Sequence, residues 1–178
     1  MPKRFLLTLF LIVFLYSSAW ADSTRYNISQ LRLQYLQASK EEAVAHKFHK
    51  KMSSYTDKDP LVLAYKAASE AVMAKYVWTP YSKLKQIKIA NAIFADAVAM
   101  DKDNAEIRFL RFTLEHYVPR YLNLSAHVEE DKKLIISSLQ AYPESELSEG
   151  LARTMRDFML TKDHCTEAEK ELLRNISI

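Results

Sequence analysis

The 178-residue chain has one glycine, Gly150, and one cysteine, Cys165. At average usage, roughly 7%, about a dozen glycines would be expected. Their scarcity removes function built on glycine: there is no GxxxxGK[ST] phosphate loop, no dinucleotide GxGxxG and no GxSxG nucleophile elbow. Tight two-residue hairpins also need residues that accept positive φ, so strand meanders are disfavoured. A lone cysteine excludes an intramolecular disulfide and any cysteine-cluster metal site. Neither charge sign dominates, with 25 Lys+Arg against 22 Asp+Glu. What remains is an all-α chain that holds itself together by packing.

Residues 1–21 read as a targeting segment. Lys3 and Arg4 precede an apolar run from Phe5 to Tyr16, and Ser17, Ser18 and Ala19-Trp20-Ala21 supply small residues near a cut after Ala21. This is the three-part pattern of a secretory signal peptide, and its apolar core is shorter than the roughly 20 residues of a spanning helix. The expected product is a single helical domain, 22–178, exported to the periplasm or beyond, with no integral membrane segment. Without Lys3 and Arg4, 23 basic side chains face 22 acidic ones, which removes a charge argument for nucleic-acid binding. A domain of this length can bury enough apolar surface to fold without disulfides.

Seven or eight antiparallel helices are expected. Asn27 with Gln30 and Ser39 with Glu42 resemble capping boxes for two helices, with Ile28, Leu31, Tyr35, Ala38 and then Val44, Phe48, Met52, Tyr55 as apolar stripes. These two segments read equally well as one long helix. Asp59-Pro60 and Thr79-Pro80 open two longer helices, and small residues on both, Ala64, Ala67, Ala68, Ala71 and Ala74 on the first and Ala90, Ala92, Ala95, Ala97 and Ala99 on the second, should let them approach closely as an antiparallel pair. The segment 105–118 is apolar over most of its girth, leaving a charged strip of Arg108, Arg111 and Glu115, so it belongs at the centre. Ser125 should cap a sixth helix ending near Tyr142, Ser148–Leu160 forms a seventh, and Thr166 with Glu169 caps the last.

The stretch Ala90, Phe94, Ala97 and Asp101-Lys102-Asp103-Asn104-Ala105-Glu106 resembles the second helix of a tetratricopeptide repeat running into the next unit. Lys102 stands at the usual proline place, and the aromatic signature of the first helix is absent: Trp78 and Tyr81 flank Pro80 instead. The match covers about a fifth of the chain, one repeat of roughly 34 residues. Leu63-Ala64-Tyr65-Lys66-Ala67-Ala68, Ala74-Lys75-Tyr76, Glu106-Ile107-Arg108-Phe109-Leu110-Arg111-Phe112 and Glu129-Glu130-Asp131-Lys132 are similar to an exported bacterial helical family without an assigned activity. That resemblance implies a right-handed, tetratricopeptide-like stack in the cell envelope, and it transfers no functional residues.

Four groups of residues qualify as candidate sites. Asp131 falls inside the apolar arc of its helix, and an unpaired buried carboxylate is expensive. It should therefore pair with Arg108 or Arg111, with Glu115 closing the network as the i+4 partner of Arg111. Packing and register is the plainer reading of this set, and a ligand cluster is the other. Tyr76, Trp78, Tyr81 and Lys83 gather at the Pro80 break with Lys75, Lys85 and Lys88, a combination that suits helix-corner packing or the binding of sugars and anionic polymers. Glu42, His46 and His49 carry a weak zinc-ligand spacing without HExxH and read as a solvated face. His164 and Cys165 are adjacent, which is no sign of a catalytic pair; the thiol, like His116 and His127, reads as structural. No cofactor is implied. The reading is a binding protein for a protein or peptide partner, with Arg108, Arg111, Tyr76 and Trp78 as groove contacts. The alternatives are a binder of a small or polymeric envelope ligand and, last, an enzyme.

Overall fold

A computed structural model describes residues 25–178; the signal peptide expected at 1–21 lies outside the described residues. Among the described residues there are eight α-helices, one 3-10 turn and no strand. The helices are α1 (Ile28–Ala38), α2 (Glu42–Ser53), α3 (Pro60–Tyr76), α4 (Pro80–Met100), α5 (Ala105–Glu115), α6 (Val128–Gln140), α7 (Glu149–Leu160) and α8 (Glu167–Arg174). The 3-10 turn, Arg120–Leu122, follows Pro119.

Local chemistry explains most of the boundaries. Asp59 Oδ1 accepts from the Val62 N–H at 2.9 Å, and Thr79 Oγ1 accepts from the Ser82 N–H at 3.0 Å. In both cases proline occupies the first turn, where its missing N–H costs nothing. Asn104 Oδ1 accepts from the Glu106 and Ile107 N–H groups and starts α5. Thr166 and Glu169 form the expected reciprocal capping box on α8.

Three boundaries differ from the sequence reading. The Ser39–Glu42 box does not form: the Ser39 hydroxyl donates back to the Leu36 carbonyl at 2.8 Å, and α2 begins after Glu41 without a side-chain cap. The chain nonetheless breaks there, so α1 and α2 are separate. The central helix ends at Glu115, short of Val118, because its last turn tightens into i→i+3 bonds before Pro119. Ser125 does not cap α6, which starts three residues later at Val128.

Two apolar clusters form the interior. One joins α1–α4, with Leu31, Phe48, Met52, Tyr65 and Phe94 at its middle. The other joins α6–α8 through Ile135, Leu139, Met155, Met159 and Leu173. Helix α5 belongs to both: Ile107 and Leu110 enter the first cluster, while Ala105, Phe109 and Phe112 enter the second. The helix with the widest apolar girth is therefore the central one, packed on α3, α4 and α6. α3 and α4 form the longest pairing, joined by only three residues, with Ala64, Ala67, Ala68, Ala90 and Ala97 fully buried. The charged strip of α5 is buried as well, and it points at α6.

Candidate functional site

Asp131, on the first turn of α6, is 0% exposed and sits opposite both arginines. Arg111 grips it in a fork, Nε to Oδ2 at 2.7 Å and Nη2 to Oδ1 at 2.6 Å. Arg108 adds Nη1 to Asp131 Oδ1 at 2.9 Å and to Glu130 Oε1 at 2.6 Å, while its Nε donates to the Lys102 carbonyl at 2.8 Å. Bidentate, charge-assisted bonds of this kind are the strong ones. The pairing expected from the apolar arc is present. Arg108 and Arg111 are only 6% and 4% exposed, however, and their donors are committed inward. Both face α6.

Glu115 does not close the network through Arg111. Arg111 is already engaged by Asp131, and Glu115 turns to the start of α6. Its Oε2 accepts from the His127 backbone N–H and its Oε1 from His127 Nδ1, both at 2.8 Å. Glu115 is itself 2% exposed. It thus holds the entry to α6, the place where Ser125 had been expected to act.

A third buried carboxylate escaped the sequence reading. Glu106 takes Arg32 Nε and Nη2 at 2.7 and 2.6 Å, and the Tyr65 hydroxyl at 2.6 Å. This network ties α1 and α3 to the start of α5. Burial and the neighbouring Glu106 carboxylate drive the Tyr65 hydroxyl pKa far up, so it remains a donor.

Around the end of α5 lies a group of rings. His164 Nδ1–H donates to the Phe158 carbonyl at 2.8 Å, leaving Nε2 to accept from the Tyr117 hydroxyl at 2.8 Å. The ring stacks on Phe158 and stands edge-on to His116, 4.5 Å between centroids. Burial, then the adjacent His164, lowers the His116 pKa. With both His164 nitrogens engaged, no Cys–His pair exists; burial pushes the Cys165 thiol up to about 11. Lys132 closes this side with Glu129 at 2.9 Å and Glu169 at 3.3 Å.

Next to this group opens a cleft of about 450 Å³. Glu115 lies at its inner wall, Val118, Ala126 and Val128 give it apolar surface, and Arg120, Glu129 and Asp163 give it charge. A second cleft, about 470 Å³, lies at the far end of α4 and is acidic, with Asp101, Asp103, Glu106 and Glu146 against Arg32.

The aromatic residues at the Pro80 break do not form one packed corner. Tyr76 is half-buried, with its hydroxyl donating to the Ala38 carbonyl at 3.2 Å. Trp78 is 97% exposed and Tyr81 78% exposed, and Lys83 is exposed beside them. The Glu42, His46, His49 trio is not assembled. His46 stands 3.8 Å from Glu42, while His49 turns to Glu70 on α3, 2.9 Å away. Among the described residues no group of three or more His, Cys, Asp or Glu side chains is arranged to hold a metal ion.

No family model, curated protein or solved structure matches this chain. Among the described residues no helix is long and apolar enough to cross a membrane.

Proposed function

We propose that the protein acts by binding: exported after loss of residues 1–21, it serves in the cell envelope as a tetratricopeptide-like helical scaffold that holds a segment of a protein or peptide partner. The observation that carries this reading is the open cleft of about 450 Å³ beside α5 and α6, a size suited to a few side chains of a ligand. Its walls alternate Val118, Ala126 and Val128 with Arg120, Glu129 and Asp163, the mixture a peptide segment needs. The charges beneath it favour a scaffold over an enzyme. Asp131, Arg108, Arg111 and Glu115 satisfy one another or His127 and offer no free acid or base to a substrate.

A photo-crosslinking residue at Ala126, in the cleft, tests this against the same residue at Glu171 on the outer side of α8. In envelope extract, Ala126 should yield one adduct of defined mass and Glu171 none. A folded chain that gives no adduct from the cleft counts against the reading.

A second reading, a binder of an anionic or sugar-like envelope ligand through the lysine and aromatic residues at the α3–α4 joint, is favoured by the near-complete exposure of Trp78 beside Tyr81. Trp and Tyr left in water are the side chains that gain most when a partner covers them.

A further inference from the structure

We propose that the Trp78 end of the helical stack docks onto an anionic lipid surface. The proposal rests on the second reading above, that this end is a binding surface, and it names what is bound. Trp78 is the middle residue of a three-residue joint between helices of 17 and 21 residues. Those helices are about 25 and 31 Å long, so the joint stands at the extremity of the α3–α4 hairpin. Lys75 Nζ donates to the Ser39 carbonyl at 2.6 Å and Tyr76 to the Ala38 carbonyl, which brings the end of α1 to the same extremity. Exposed Leu36 and Lys40 therefore share it with Trp78 and Tyr81.

Charge along the α3–α4 joint and the first half of α4 is one-sided. Residues 71–95 contain four lysines and no Asp or Glu. Lys83, Lys85 and Lys88 are exposed, and among the described residues none of them forms an ion pair. The contrary charges nearby are Glu41 and Glu42 at the start of α2. At the other end of α4 stand Asp96, Asp101 and Asp103, beside the acidic cleft. The long axis of α4 thus runs from a basic, aromatic end to an acidic one, and a negative plane would orient the molecule with Trp78 foremost.

The shape selects a lipid surface over an acidic peptide or polymer. Both clefts are lined by residues outside 62–100, so neither offers a groove at the Trp78 end. An exposed helix joint with amphipathic Trp and Tyr rings fits the headgroup layer, where such rings settle, and lysine stems extend their ammonium groups to lipid phosphates.

The test uses the full chain carrying Trp20→Phe, which leaves Trp78 as the only indole. Vesicles of phosphatidylglycerol mixed with phosphatidylcholine should shift Trp78 emission to the blue, and brominated acyl chains should quench it. Pure phosphatidylcholine should do neither. Each of Lys83→Gln, Lys85→Gln and Lys88→Gln should weaken the lipid response about fivefold, and added salt should weaken it too. A chain held on vesicles by Phe5–Tyr16 while Trp78 emits as in water overturns the proposal. An equal response to pure phosphatidylcholine overturns its electrostatic basis. A shift with soluble polyglutamate or an anionic polysaccharide but not with vesicles overturns the lipid assignment and leaves the second reading standing. Silence with all of these probes overturns both.

Discussion

In the half built from α1–α4, the closest packing comes from small side chains: Ala64, Ala67, Ala68, Ala90 and Ala97 are buried between two long helices. In the half built from α6–α8 it comes from rings, Met155, Met159 and ion pairs. Residues 25–104 carry 13 Lys+Arg against 8 Asp+Glu, whereas 105–178 carry 10 against 13. The first half keeps most of its charge on the outside, where the lysines of α4 stand in water. The second half draws charge inward, with Arg108, Arg111 and Asp131 sealed beneath α6. The difference teaches where each half is vulnerable. Alanine packing fails by steric intrusion, and a sealed ion network fails when one member is lost.

The largest expected effect is therefore in the second half. Asp131→Ala strands the buried Arg111 guanidinium, while Arg108 keeps Glu130 and the Lys102 carbonyl, and should cost about 3–5 kcal/mol in a urea melt. Replacing Asp131, Arg108 and Arg111 together by apolar residues of similar volume should recover most of that loss, since the isolated charge is what is costly. Survival of Asp131→Ala at full stability would erase the contrast between the halves. Glu106→Gln tests the network that ties α5 to the first half through Arg32 and Tyr65. Arg32 is a third exposed and water can take over its charge, so the loss should be about 1–2 kcal/mol.

Smaller still, and opposite in sign between the halves, is the response to pH. The Glu70 carboxylate raises the His49 pKa. Its contribution is fully present below the unfolded value of about 6.5 and is lost as pH rises through the higher folded value. Burial and His164 lower the His116 pKa. Its contribution is present above about 6.5 and is lost as pH falls through the lower folded value. Stability of His49→Gln and His116→Gln measured across mildly acidic pH should diverge from the parent in opposite directions; parallel curves would refute the assignment. The smallest effect belongs to Trp78→Ala. With 97% of its surface already in water, thermal unfolding should register a change within about 0.5 kcal/mol.

The sequence made some of this legible for physical reasons. A carboxylate inside an apolar arc demands cations, so Asp131 pointed to Arg108 and Arg111 before any geometry was known. Prolines at positions 60 and 80 fixed helix starts because their missing N–H is harmless only there. Glu106 was invisible because its partner Arg32 is 74 residues away on a helix whose pattern gave no sign that it met α5. Glu115 was read along its own helix, toward Arg111. The shift in the start of α6 instead left the His127 N–H without a local cap, and Glu115 supplies one from outside that helix. Exposure of Trp78 was not legible, since an aromatic residue beside a proline break packs a corner as readily as it projects from one.

One helix belongs to neither half alone. α5 lends residues to both interiors, and its 11 residues span only about 16 Å. No cut through the chain spares both cores, so the molecule should melt as one cooperative unit. Loosening at the Arg32–Glu106 end would also reach the Glu115 wall of the cleft along a single rigid rod, making α5 the route by which an event at one extremity is felt at the other.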